Sequence, residues 1–130
     1  MKLNRLVVAA VAAFSFTACA PRLAHAHADH GQPMHGGIVA EGGVLQGELV
    51  ARPGALTLYL TDHGNPVATQ GASGRLTVLA GTQRSELALT PAGENRLSLA
   101  GAPLLAPGTK AVALVRLPDG RSATLRFELK

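Results

Sequence analysis

In 130 residues the chain has one cysteine, no tryptophan, one tyrosine and three phenylalanines. Each scarcity excludes something. The cysteine is Cys19, inside the N-terminal apolar segment, so the later chain holds no disulfide, no thiol nucleophile and no thiolate metal ligand. Without tryptophan or a cysteine pair there is no antibody-type core of Trp on disulfide. After the N-terminal segment the only aromatics are Tyr59 and Phe127, too few for a platform that stacks single-stranded bases. The acidic residues occur singly, so no carboxylate pair stands out for acid–base work. No glycine-rich phosphate loop follows a strand and opens a helix. A Ser-His-Asp triad would have to use His63 as its base, and Asp62 beside it would face the other way in extended backbone. The chain reads as non-catalytic.

Clustered basic charge is also missing. Lys2, Arg5 and Arg22 account for three of the 12 basic residues, and removing them from the formal +4 leaves +1. The remaining arginines are scattered along strand-like segments, which argues against nucleic-acid binding.

The N-terminus has the form of an export signal. Met1–Arg5 is a short positive region, and Leu6–Phe16 is an eleven-residue apolar run, too short to span a bilayer as a helix of about 20 residues. Two processing routes stand side by side. Small residues at Ala24-His25-Ala26 and Ala26-His27-Ala28 fit cleavage after Ala26 or Ala28. Phe16-Thr17-Ala18-Cys19 resembles a lipobox, with Phe16 where leucine is usual, and would lipidate Cys19. Both routes place the protein in the periplasm, soluble or lipid-anchored, and no later segment is long and apolar enough to be a transmembrane helix. The expected division is a signal at 1–26, a flexible His-rich arm at 27–37 and a folded domain at 38–130.

From Ile38 the pattern becomes short apolar runs of period two, broken by turn residues about every ten positions. Leu45 and Leu49 share one face. Leu56, Leu58 and Leu60 alternate with Thr57, Tyr59 and Thr61. Ala123, Leu125, Phe127 and Leu129 alternate with Thr124, Arg126 and Glu128. Pro53-Gly54, His63-Gly64-Asn65-Pro66 and Pro118-Asp119-Gly120 are turns. No window after residue 28 has helical periodicity. About eight strands, each with one face to bury, predict an all-β fold. The expected form is a small antiparallel β-sandwich of immunoglobulin-like architecture.

Histidine is the conspicuous chemical feature. His25, His27, His30 and His35 lie within eleven residues, with Asp29 and Met34 among them, and His63 stands apart in a predicted hairpin turn. Neutral imidazole suits Cu(II), Zn and Ni, and a thioether adds affinity for Cu(I). No paired-cysteine or His-Glu-x-x-His pattern marks a closed site, so the reading rests on a compositional tract. The candidate ligands are His27, Asp29, His30, Met34, His35 and His63, for a Cu or Zn ion.

Met34-His35-Gly36-Gly37-Ile38-Val39, then Gln46-Gly47-Glu48-Leu49-Val50 and Leu58-Tyr59-Leu60-Thr61-Asp62-His63-Gly64-Asn65-Pro66-Val67, resemble small periplasmic modules associated with heavy-metal efflux. Similar stretches occur in N-terminal regions of the periplasmic adaptor (membrane-fusion) subunits of such pumps. The resemblance runs from about His30 to about Gly81. It implies a β-rich module, metal handling, and pump subunits as partners, with His35 as the family's His-Gly-Gly histidine and His63 as its turn histidine. These 130 residues show no pattern for the coiled-coil hairpin and barrel domains of an adaptor, so the expectation is a module that does not itself bridge a pump. The competing expectation is a non-catalytic envelope module that binds another protein through an exposed edge strand.

Overall fold

The computed structural model describes residues 31–130. The expected export signal, with Cys19, and His27, Asp29 and His30 of the expected arm lie outside the described residues. Nine strands follow in order: β1 (Ile38–Gly42), β2 (Leu45–Arg52), β3 (Gly54–Asp62), β4 (Asn65–Pro66), β5 (Ser73–Ala80), β6 (Gln83–Pro91), β7 (Arg96–Ala102), β8 (Lys110–Arg116) and β9 (Ser122–Glu128). There is no helix among the described residues, and hence none long and apolar enough to cross a membrane.

Alternation decides which face each strand buries. Leu56, Leu58 and Leu60 of β3 are buried, while Thr57, Tyr59 and Thr61 between them are half-buried. On β9, Ala123, Leu125 and Phe127 are buried, and Ser122, Thr124, Arg126 and Glu128 are exposed. Each fully buried leucine is worth about 1.5–3 kcal/mol over an exposed one. Leu45, Leu49, Leu76, Leu97 and Val115 complete an aliphatic core in which Phe127 is the one buried aromatic.

All pairings are antiparallel, and the strand order is β1-β2-β3-β7-β6-β5-β8-β9, with β4 against β3. The ladder is one continuous path. Gly74–Ala80 of β5 pair the first seven residues of β6, and Thr90 and Pro91 at the end of β6 pair β7. The path nearly closes into a barrel, since β1 packs beside β9. Closure depends on two residues without side chains. A Cβ on Gly42 would lie 2.4 Å from the Thr124 carbonyl oxygen, and one on Gly47 would lie 2.5 Å from Leu125 Cδ1. The sandwich expectation had assumed two separate layers, whereas β6 carries the observed ladder across. The ninth strand is the two-residue β4, formed within the segment read as a turn.

One end of the barrel is covered by the segment between β4 and β5. Val67, Thr69 and Ala72 are buried there. The Thr69 hydroxyl donates to the Arg96 carbonyl at 2.7 Å, and the Asn95 side-chain amide donates to the Leu60 carbonyl at 3.1 Å. These bonds satisfy backbone oxygens that the covering segment removes from water.

Candidate metal centre

Glu48 is on the outer face of β2, directly opposite Tyr59 of β3. A carboxylate there should be solvated, yet Glu48 is only 7% exposed. The reason is the segment leading into β1, which lies across it. The Met34 N–H donates to Glu48 Oε1 at 2.7 Å. The His35 N–H reaches both carboxylate oxygens, Oε1 at 2.9 Å and Oε2 at 2.8 Å, and the Gly37 N–H donates to Oε2 at 3.3 Å. His35 Nδ1 lies 3.1 Å from Oε1. One carboxylate therefore collects three backbone donors and an imidazole, which gathers residues 34–37 into a turn.

The two glycines of His35-Gly36-Gly37 have separate reasons. Gly36 has φ +72°, a conformation side chains disfavour. Gly37 is a matter of space: a Cβ would lie 2.4 Å from the Leu49 carbonyl oxygen and 2.9 Å from Glu48 Cγ. Any larger residue at 37 lifts the turn off β2.

Burial pushes the Glu48 carboxyl upward, but the N–H groups of His35 and Met34, the His35 ring and the Gly37 N–H outweigh it and hold the pKa below the ordinary carboxylate value. Glu48 is thus ionised at neutral pH and can only accept. His35 Nδ1 must then carry the hydrogen of their contact, so in a neutral ring the lone pair is on Nε2. The ring also stacks on Tyr59, with centroids 3.7 Å apart and planes 5° from parallel. His35 remains 41% exposed, and no hydrogen-bond partner for Nε2 occurs among the described residues. In many metal sites a carboxylate holds one imidazole nitrogen in this way, which fixes the ring and leaves the other nitrogen for the metal.

Met34, adjacent, is 84% exposed, so its thioether is available to an ion. His35 and Met34 fit a soft or borderline ion as two donors of a larger set. The other arm candidates, His27, Asp29 and His30, lie outside the described residues. Among the described residues no three His, Cys, Asp or Glu side chains are grouped as a metal site.

His63 is differently placed. It and Gly64 form the two-residue turn between β3 and β4, with φ 49° and 82°, the paired positive angles of a tight hairpin. Its ring is 77% exposed and bonds through Nδ1 to the Asp62 carboxylate. Residues 62 and 63 would face apart in extended backbone; in this turn their side chains meet. Arg121, from the turn before β9, bridges Asp62 Oδ2 and Asp119 Oδ2, both at 2.8 Å. Hydrogen bonding to Arg121 holds the Asp119 carboxyl below its usual value and raises the guanidinium further. The group lines a groove of about 710 Å³ with Asn65, Gln70 and Pro118. His35 rests on Tyr59, and four residues of chain, about 13 Å of strand, separate Tyr59 from His63. The structure does not bring the two histidines together.

Glu48 and Tyr59 are the residues the sequence reading missed as site members. The signal was slight: an acid on a strand whose neighbours Leu49 and Val50 are both apolar. Comparison with known proteins found no matching family model, curated protein or solved structure.

Proposed function

We propose that this protein is a periplasmic metal-binding accessory module for a copper, zinc or similar ion, linked to metal efflux or resistance. The observation that carries the reading is the anchored imidazole of His35, with Nδ1 on Glu48 and Nε2 left for a ligand. Met34 is beside it, and His27, Asp29 and His30 are a few residues upstream. In this reading the arm supplies further donors to a fixed one. Holding His35 in place beforehand removes part of the entropy cost of closing a peptide tract around an ion. The pump subunits of the resembled modules are the partners such a carrier would serve.

Titration of the mature protein with Cu(II), Cu(I) and Zn(II) tests the reading. Stoichiometric binding is expected, weakening as pH falls from about 7 to 5 because protons compete for imidazole. His35→Ala should lower affinity about tenfold or more, equivalent to about 1.4 kcal/mol. His63→Ala should leave it unchanged. Undiminished binding after deletion of residues 25–37 would overturn the arm as the site. Intact mass of the protein taken from cells tests the export half: loss of the first 18 to 28 residues is expected, with a diacylated Cys19 deciding for the lipid anchor.

A further inference from the structure

A second groove lies on the outer face of β5, β8 and β9, banked by the Gly42–Gly43 turn that joins β1 to β2. Its volume is about 610 Å³, and Arg75, Arg116, Ser73, Ser122, Thr124 and Leu114 line it. No carboxylate is among its lining residues. The ladder explains the grouping. Arg116 is paired with Ser73 and with Ser122, Leu114 is paired with Arg75 and with Thr124, and all six are exposed on one face. Arg75 is the diagonal neighbour of Arg116 across the β5–β8 pair, a relation that puts residues about 7–8 Å apart. Two guanidiniums at that spacing can reach one anion.

Two other arginines of the described residues are neutralised locally. Arg84 pairs with Glu86, and Arg121 with Asp62 and Asp119. Among the described residues Arg75 and Arg116 form no ion pair, and neither do Arg52, Arg96 and Arg126. What sets Arg75 and Arg116 apart is that they line one groove together. Two uncompensated cations side by side repel each other, and the repulsion is relieved by an anion held between them. Guanidinium forks match the oxygens of phosphate, and three hydroxyls on the same face add more donors than a two-oxygen carboxylate can use. Leu114, 49% exposed, offers apolar surface beside these donors.

We propose that this groove is a binding site for a phosphate-type oxyanion, held by Arg75 and Arg116 with the hydroxyls of Ser73, Ser122 and Thr124. Free phosphate and the phosphate of a lipid headgroup share this chemistry. The site is independent of the metal reading, and it lies on strands the histidine turn does not touch.

The test uses the mature protein. Inorganic phosphate, added at constant ionic strength, should give saturable amide shifts at Gly43, Ser73 and Arg116, and acetate should bind at least about tenfold more weakly. The double variant Arg75→Ala/Arg116→Ala should lose phosphate binding at least tenfold with an unchanged melting midpoint, since both side chains are exposed. Arg84→Ala, which removes a paired arginine of β6, should bind as wild type does. Cosedimentation with phosphatidylglycerol vesicles, but not with phosphatidylcholine vesicles, and its loss in the double variant, would identify the headgroup as the source. Phosphate binding without vesicle binding would identify a soluble phosphate. Absence of saturable shifts at those amides, equal binding of acetate, or an equal loss in Arg84→Ala would overturn the proposal.

Discussion

Two histidines of this domain each bond a carboxylate through Nδ1, and the resemblance ends there. His35 is stacked on Tyr59 and bonded to a buried Glu48 that also holds three backbone amides. His63 is at the tip of a hairpin, its exposed ring held by one half-buried neighbour, Asp62. An imidazole is positioned only when the carboxylate beside it is itself positioned. Glu48 is fixed by the three backbone amides of the turn that covers it, whereas half-buried Asp62 is held by the Arg121 side chain. The same chemical pair is thus an organised donor in one place and a surface contact in the other.

The harshest way to erase the difference is to remove what both regions stand on. Leu58 is fully buried on the inner face of β3, the strand that carries Tyr59 and leads into His63. Leu58→Ala should cost about 2–5 kcal/mol by cavity formation, read by denaturant unfolding. A cost below about 1 kcal/mol would mean that this face of β3 does not pack as described.

Removing the carboxylate strikes one region alone. Glu48→Ala should cost about 1.5–3 kcal/mol, the scale of hydrogen bonds to a charged acceptor, and should free the Met34 and His35 amides to exchange. Glu48→Gln, which keeps one acceptor oxygen, should fall between the variant and wild type. Unaltered exchange at Met34 and His35 in Glu48→Ala would refute the tether.

Acid provides the same lesion reversibly. The folded pKa of Glu48 is lowered, so its stabilisation is complete above the unfolded value, about 4.3, and is lost as pH falls through the lower folded value. The Met34 and His35 amides should therefore stay protected from pH 7 to about 5 and open below about 4. Opening already at pH 6 would contradict the sign of the shift.

The smallest effect belongs to the exposed histidine. His63→Ala should alter stability by less than about 0.5 kcal/mol, as surface substitutions usually do, and His63→Asn should be neutral or slightly stabilising, because asparagine favours the first position of this turn. A loss of more than about 1 kcal/mol from His63→Ala would show that its contact with Asp62 matters to the fold.

Strand positions and their faces were legible in the sequence. The alternation of Leu56, Leu58 and Leu60 with Thr57, Tyr59 and Thr61 is a local property of extended backbone and needs no knowledge of partners. The histidine tract was legible as composition, and part of it stays outside the described residues. The partner of each strand was not legible, because a strand with one apolar face can pair with any other of its kind. Tertiary structure therefore decided that β6 joins two stretches of ladder, that β1 meets β9, and that glycine is required at 42 and 47 where the barrel closes. It also decided the fate of Glu48. In sequence Glu48 is an outward-facing acid in an ordinary strand. It became the most buried charged side chain of the described domain because the His35-Gly36-Gly37 turn folds back over it, a contact made across eleven residues or more that no local pattern encodes.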